Sequence, residues 1–84
     1  MVEETLENTV DLMLSPDYKE RFIAEYFQVR IRYNKLVAMV EKWDRGELPF
    51  NPTCPRSTYD LQLSAMKDYL AVLEARAVME GIEL

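Results

Sequence analysis

Two apolar runs step along this chain by alternating threes and fours, and a stretch that cannot be helical separates them. The first run is Phe22, Tyr26, Val29, Tyr33, Leu36, Val40 and Trp43; the second is Leu63, Met66, Leu70, Leu73 and Ala77. Steps of this kind place one face of a helix on a heptad seam. The break between them, Leu48 to Asp60, reads LPFNPTCPRSTYD and holds Pro49, Pro52 and Pro55. Each proline removes a backbone donor and disfavours helix at the residue before it. The two runs must therefore fold as separate helices, and a hairpin is the simplest way to bring their seams together.

The expected fold is all-α: a short N-terminal helix and then a long antiparallel helical hairpin, in one domain over residues 1–84. The boundaries read as a short helix over 1–14, a long helix over 16–45, a connector over 46–57 and a second long helix over 58–80. Val2, Leu6, Val10, Met13 and Leu14 recur at helical spacing in the first piece. Ser15 and Pro16 suit the cap and first turn of the long helix, which would span about 45 Å at 1.5 Å per residue. Gly46 and Gly81 suit helix stops, and Ser57 with Asp60 approaches a capping box. Phe50 is expected to cover the end of the hairpin. No strand pattern or internal repeat is visible.

The apolar arcs are too wide for one partner helix. Ile23, Phe27, Ile31, Val37 and Ala38 flank the first seam, and Leu61, Ala65, Val72 and Met79 form a second stripe on the last helix. An 84-residue chain that is 49% hydrophobic has apolar surface to spare, and another copy of itself is the expected outlet. Homo-oligomerisation is therefore expected.

Chemistry is sparse. The chain has no histidine, one cysteine and two glycines. The commonest general base, a cysteine metal cluster and a phosphate-binding glycine loop are all missing. No catalytic residues, metal site or cofactor are expected, and Cys54 reads as a packed loop residue. The net charge of -5 argues against binding to DNA or RNA. No segment has the apolar length of a membrane helix, and the first residues lack a signal-peptide pattern. The expected location is the cytoplasm. Charge is uneven: residues 1–17 carry five acids and no base, whereas Arg30, Arg32 and Lys35 fall in an acid-free stretch from Tyr26 to Val40.

Polar residues set into apolar arcs are the candidate site. Gln62, Tyr69 and Arg76 are seven apart, with Glu80 one turn beyond; Arg30 and Asn34 interrupt the arc of the first long helix. Folding the hairpin about residue 51 brings Asn34 level with Tyr69 and gathers these groups in one zone. Such groups can fix register and oligomer order by bonding each other. They can also take an anionic, flat ligand, since guanidinium groups grip phosphate and aromatic rings stack on bases. The ligand-binding set is Arg30, Tyr33, Asn34, Arg56, Gln62, Tyr69 and Arg76.

Over residues 18–84 the chain resembles small proteins related to a crAss-like phage protein, from phages and prophages of gut Firmicutes. The shared pattern is Cys54-Pro55, Gln62, Ala65-Met66, Tyr69, Leu73-Glu74, Arg76-Ala77 and Glu80-Gly81-Ile82. The resemblance implies a helical hairpin of phage origin acting in the host bacterial cytoplasm. It suits a non-enzymatic counter-defence protein that sequesters a cyclic nucleotide-type immune signal at subunit interfaces. The alternatives are a protein-interaction module that inhibits or adapts a host or phage protein, such as a host defence protein, and a structural helical oligomer.

Overall fold

A computed structural model describes residues 5–84. It contains a 3-10 turn, Glu7–Thr9, followed by α1 (Val10–Met13), α2 (Tyr18–Asp44) and α3 (Arg56–Glu80). The described residues are all-helical, and α2 packs along α3 as an antiparallel pair. The long dimension is 43 Å, close to the length of α2 alone at 1.5 Å per residue.

The two seams meet as the heptad steps require. Phe22, Tyr26, Leu70, Leu73, Ala77 and Ile82 form the core, with Ile23, Phe27, Val29 and Tyr33 packed against it. This core sits toward the open end of the hairpin. Toward the connector the seam is thinner: Leu36, Met39, Leu63 and Met66 are half-buried. Trp43 and Tyr59 meet edge to face there, with ring centroids 5.7 Å apart.

Both long helices end on a left-handed glycine. Gly46 has φ 71 and Gly81 φ 68, a conformation that costs glycine nothing. The Glu47 N–H donates to the Lys42 carbonyl at 2.9 Å and the Ile82 N–H to the Ala77 carbonyl at 2.8 Å. These wide turns reverse the chain. At the C-terminus the reversal returns Ile82 to the core, where it is buried.

The starts of the helices differ from expectation. The first piece is not one helix over 1–14 but the 3-10 turn and the single turn of α1, and residues 1–4, with Val2, lie outside the described residues. Val10, Met13 and Leu14 are exposed rather than packed. The 3-10 turn and α1 lie against α2, where Gln28 donates to the Thr9 hydroxyl at 3.2 Å. Thr9 is buried and itself donates to the Leu6 carbonyl at 2.7 Å. The N-cap of α2 is Asp17, not Ser15: its carboxylate accepts from the Lys19 N–H at 3.0 Å. Ser15 Oγ accepts from the Asp17 N–H at 3.1 Å, so the serine stabilises the approach to the cap. α3 starts at Arg56 behind Pro55 without a side-chain cap. Asp60 is drawn to Arg56 instead of closing a capping box. Phe50 is 54% exposed and lies along the flank of α2 with Lys35, Ala38 and Met39, so it does not cover the hairpin end. Cys54 is exposed rather than packed.

The second stripe of α3 is uncovered in the single chain. Leu61, Val72, Val78 and Met79 are all more than half exposed. Between Leu61 and Met79 the arc that they define carries one charge, Asp68.

Candidate ligand site

The seven expected site residues do not gather in one zone. The hairpin has two long edges where α2 meets α3, and the polar groups divide between them. On α2, Arg30 lies five residues from Glu25, about 140° around the helix at 3.6 residues per turn. Arg30 and Glu25 therefore serve opposite edges.

On the first edge, Tyr26 donates to the Glu74 carboxylate at 2.9 Å. Arg30 donates to the Tyr26 hydroxyl at 2.7 Å and lies 3.7 Å from Glu74. Tyr26 is buried. Burial first, and then the hydrogen bond to Glu74, raises its pKa above the ordinary tyrosine value. The Arg30 guanidinium also sits over the Tyr26 ring, 5.9 Å from its centroid.

On the second edge, Tyr18 donates to Glu80 at 2.7 Å, and Arg76 donates to the Tyr18 hydroxyl at 3.0 Å and to Glu80 at 3.3 Å. The Arg76 guanidinium covers the Phe22 ring at 4.9 Å. Tyr69 donates to Glu25, not to Asn34. Bonding to Glu80 raises the pKa of Tyr18, and bonding to Glu25 raises that of Tyr69.

Arg56 belongs to neither group. It stands at the connector end, where its guanidinium bonds Asp44 at 3.2 and 3.3 Å, bonds Asp60, and covers Trp43. Tyr33 is half-buried against the core. Asn34 is exposed, as is Gln62. Tyr69 is 42% exposed, so these polar residues rim the packed face and are not embedded in it. The reason is geometric: a seam only two residues wide leaves positions one step to either side at the water line.

Arg30, Arg56 and Arg76 thus spend their charge on the chain's own carboxylates. Other bases, Lys19 and Lys67 among them, have no carboxylate partner among the described residues. Arg32, Lys35 and Lys42 make no ion pair among the described residues. Arg32 and Lys35 border an open groove of about 370 Å³ with Gln62, over a floor of Leu36, Met39 and Met66. A second hollow of about 310 Å³ continues it through Lys35 and Met39 to Lys42 and Phe50. The signal for this row was present in the sequence as Arg32 and Lys35, three apart inside the acid-free stretch, with Lys42 seven residues further on, past Glu41. Among the described residues no cluster of three metal-ligating side chains occurs. No helix is long and apolar enough to cross a membrane.

Fold and site together define a small all-helical hairpin with self-neutralised arginines on both edges and a groove lined by unpaired bases. The model of the Sequestin family matches residues 16–79, which span α2, the connector and nearly all of α3, and the chain belongs to that family. Comparison with curated proteins and with solved structures gives no match.

Proposed function

We propose that this protein is a non-enzymatic sequestering protein that holds a small, anionic, flat ligand of nucleotide type, without turning it over, in counter-defence of a phage. The carrying observation is that the Sequestin match covers the hairpin itself, and the hairpin bears every arginine–tyrosine pair of the described chain. The family name is consistent with a sequestering role. The resemblance to phage proteins supports the counter-defence part of the reading.

The sequestering form is a homo-oligomer, with the outer stripe of α3 as its contact. In an antiparallel pair related by a two-fold axis near residue 70, Leu61 of one copy falls opposite Met79 of the other, and Ala65 opposite Ala75. Such a contact is self-complementary, as two-fold interfaces must be. The single charge on the stripe, Asp68, then lies near the axis, opposite Val72 of the second copy, and must turn its carboxylate to the flank to stay in water.

Native mass spectrometry of protein purified from bacterial cells tests both parts. The expected spectrum is a multimer carrying a few hundred daltons of releasable ligand, about the mass of one or two nucleotides. A monomer with no retained mass, and no binding of added nucleotides, refutes the proposal.

A further inference from the structure

The geometry points to the groove beside Arg32 and Lys35, and not to the Arg30 or Arg76 clusters, as the seat of the ligand's phosphate. This inference rests on the sequestering reading above and names where on the hairpin that reading is carried out.

The argument begins with charge that is already used. Arg76 is held between Tyr18 and Glu80, Arg30 between Tyr26 and Glu74, and Arg56 between Asp44 and Asp60. A phosphate arriving at any of these must displace a carboxylate that is tethered to the same hairpin and therefore always near. It also meets the repulsion of that carboxylate once displaced. Arg32 and Lys35 carry no such competitor. The acid nearest to them along that face of α2 is Glu25, one heptad away, and it is engaged by Tyr69.

The groove also has the right complement for an anion that is not merely a phosphate. Arg32 offers a fork of donors that matches two phosphate oxygens, and Lys35 adds a point charge one helical turn on. Gln62, on α3, supplies a neutral donor and acceptor from the opposite wall. The floor of Leu36, Met39 and Met66 is apolar, and methionine adapts its shape to flat aromatic surfaces. Tyr69 lies seven residues from Gln62 toward the open end, about 10 Å along α3. Its ring is within the span of a nucleotide whose phosphate sits at Arg32. Phosphate on the cations and base over methionine or tyrosine is the division of labour expected for a nucleotide in a non-sequence-reading site.

Arg32 and Lys35 form a local basic row in a protein of net charge -5, so an anion is drawn to this groove rather than to the acidic remainder of the surface. Its continuation to Lys42 and Phe50 gives room for a second phosphate or a second base, as in a cyclic dinucleotide.

The test compares two charge reversals of equal size. Arg32→Glu with Lys35→Glu alters the groove; Lys19→Glu with Lys67→Glu makes the same change of net charge at exposed, unpaired bases elsewhere. Binding of cyclic di-AMP, 3′,5′-cyclic AMP and ADP-ribose is measured by calorimetry on the full chain, with pyrophosphate as the phosphate-only probe. Circular dichroism checks that each variant is folded. For the wild type, amide shifts on adding the probe are followed at residues 32–39 and 62–66, which needs no variant. The groove reversal is expected to weaken the best-bound probe about tenfold or more for each cation lost, by the strength of charge-assisted bonds. The control reversal should change affinity several-fold less. Equal losses from the two reversals overturn the groove and leave only net charge. Retained binding in the groove variant, with loss in Arg30→Ala or Arg76→Ala, overturns the groove while the sequestering reading stands. A wild-type protein that binds none of the probes and carries no ligand from cells overturns both.

Discussion

Leu73 and Val72 are chain neighbours with opposite fates, and their alanine variants measure which stripe of α3 faces α2. Leu73 is 0% exposed and Val72 is 56% exposed. Truncating a fully buried leucine removes its transfer free energy and leaves a cavity, about 3 kcal/mol in the middle of the usual 2–5 range. A chain of this length has a total stability of about 4–12 kcal/mol at ordinary values per residue. The Leu73→Ala variant should therefore lose between a quarter and most of its stability. For a domain of this size that is a fall in Tm of about 12–24 °C. The Val72→Ala change removes methyl groups that already face water, and should stay within about 0.5 kcal/mol. Urea unfolding followed by circular dichroism at several protein concentrations is the assay. A Leu73→Ala loss below about 1 kcal/mol refutes the reasoning. So does a Val72→Ala loss that equals it and does not depend on concentration. A Val72 loss that grows with concentration instead reports contact between copies.

Three shorter predictions follow from the same geometry. Tyr18, Tyr26 and Tyr69 all have raised pKa values, so the native state holds their protons more tightly than the unfolded state. That stability is complete below the unfolded value of about 10 and is lost as pH rises through the higher folded values. Thermal melts from about pH 8 upward should fall only in that alkaline window, and Tyr26→Phe should shrink the fall while costing about 1 kcal/mol at neutral pH for its lost hydrogen bond; a melt that falls equally in Tyr26→Phe counts against the assignment. Gly81→Ala meets no neighbouring atom, so its cost is the left-handed backbone alone, about 1 kcal/mol in urea unfolding; a neutral result removes the role given to that turn. Arg56→Ala should shift Trp43 emission to the red and speed proteolysis of the connector, because Arg56 both covers Trp43 and ties Asp44 to Asp60; unchanged emission would show that the ring is shielded by Tyr59 alone.

The seam was legible because it depends only on spacing. Phe22, Tyr26, Leu70, Leu73 and Ala77 can be picked from their steps, and Gly46 and Gly81 from their place after each run. The helix starts were less so. Ser15 and Asp17 are both good caps, and the extended backbone at Asp17 (φ -83, ψ 120) decides between them only once the chain has turned. The site was the least legible. Arg30 and Arg76 look alike in sequence, but each lands on its own edge, and which carboxylate meets which base depends on how α2 and α3 are offset. Arg32 and Lys35 stood in the sequence as plainly as Arg30. What sets them apart is that Gln62 and Met66, not an acid, line the groove across from them, and a lone helix cannot report that.

The tyrosine–carboxylate bonds that cross the hairpin have a consequence for alignment. A heptad seam repeats itself, so sliding α3 along α2 by seven residues would still lay apolar side chains against one another. Tyr18 with Glu80 and Tyr69 with Glu25 do not repeat. After such a slide each hydroxyl would stand about 10 Å from its acceptor at 1.5 Å per residue. The polar bonds work as a vernier on a scale whose coarse marks are all the same, and a hairpin that carries its binding groove across both helices needs that alignment to bring Gln62 opposite Arg32.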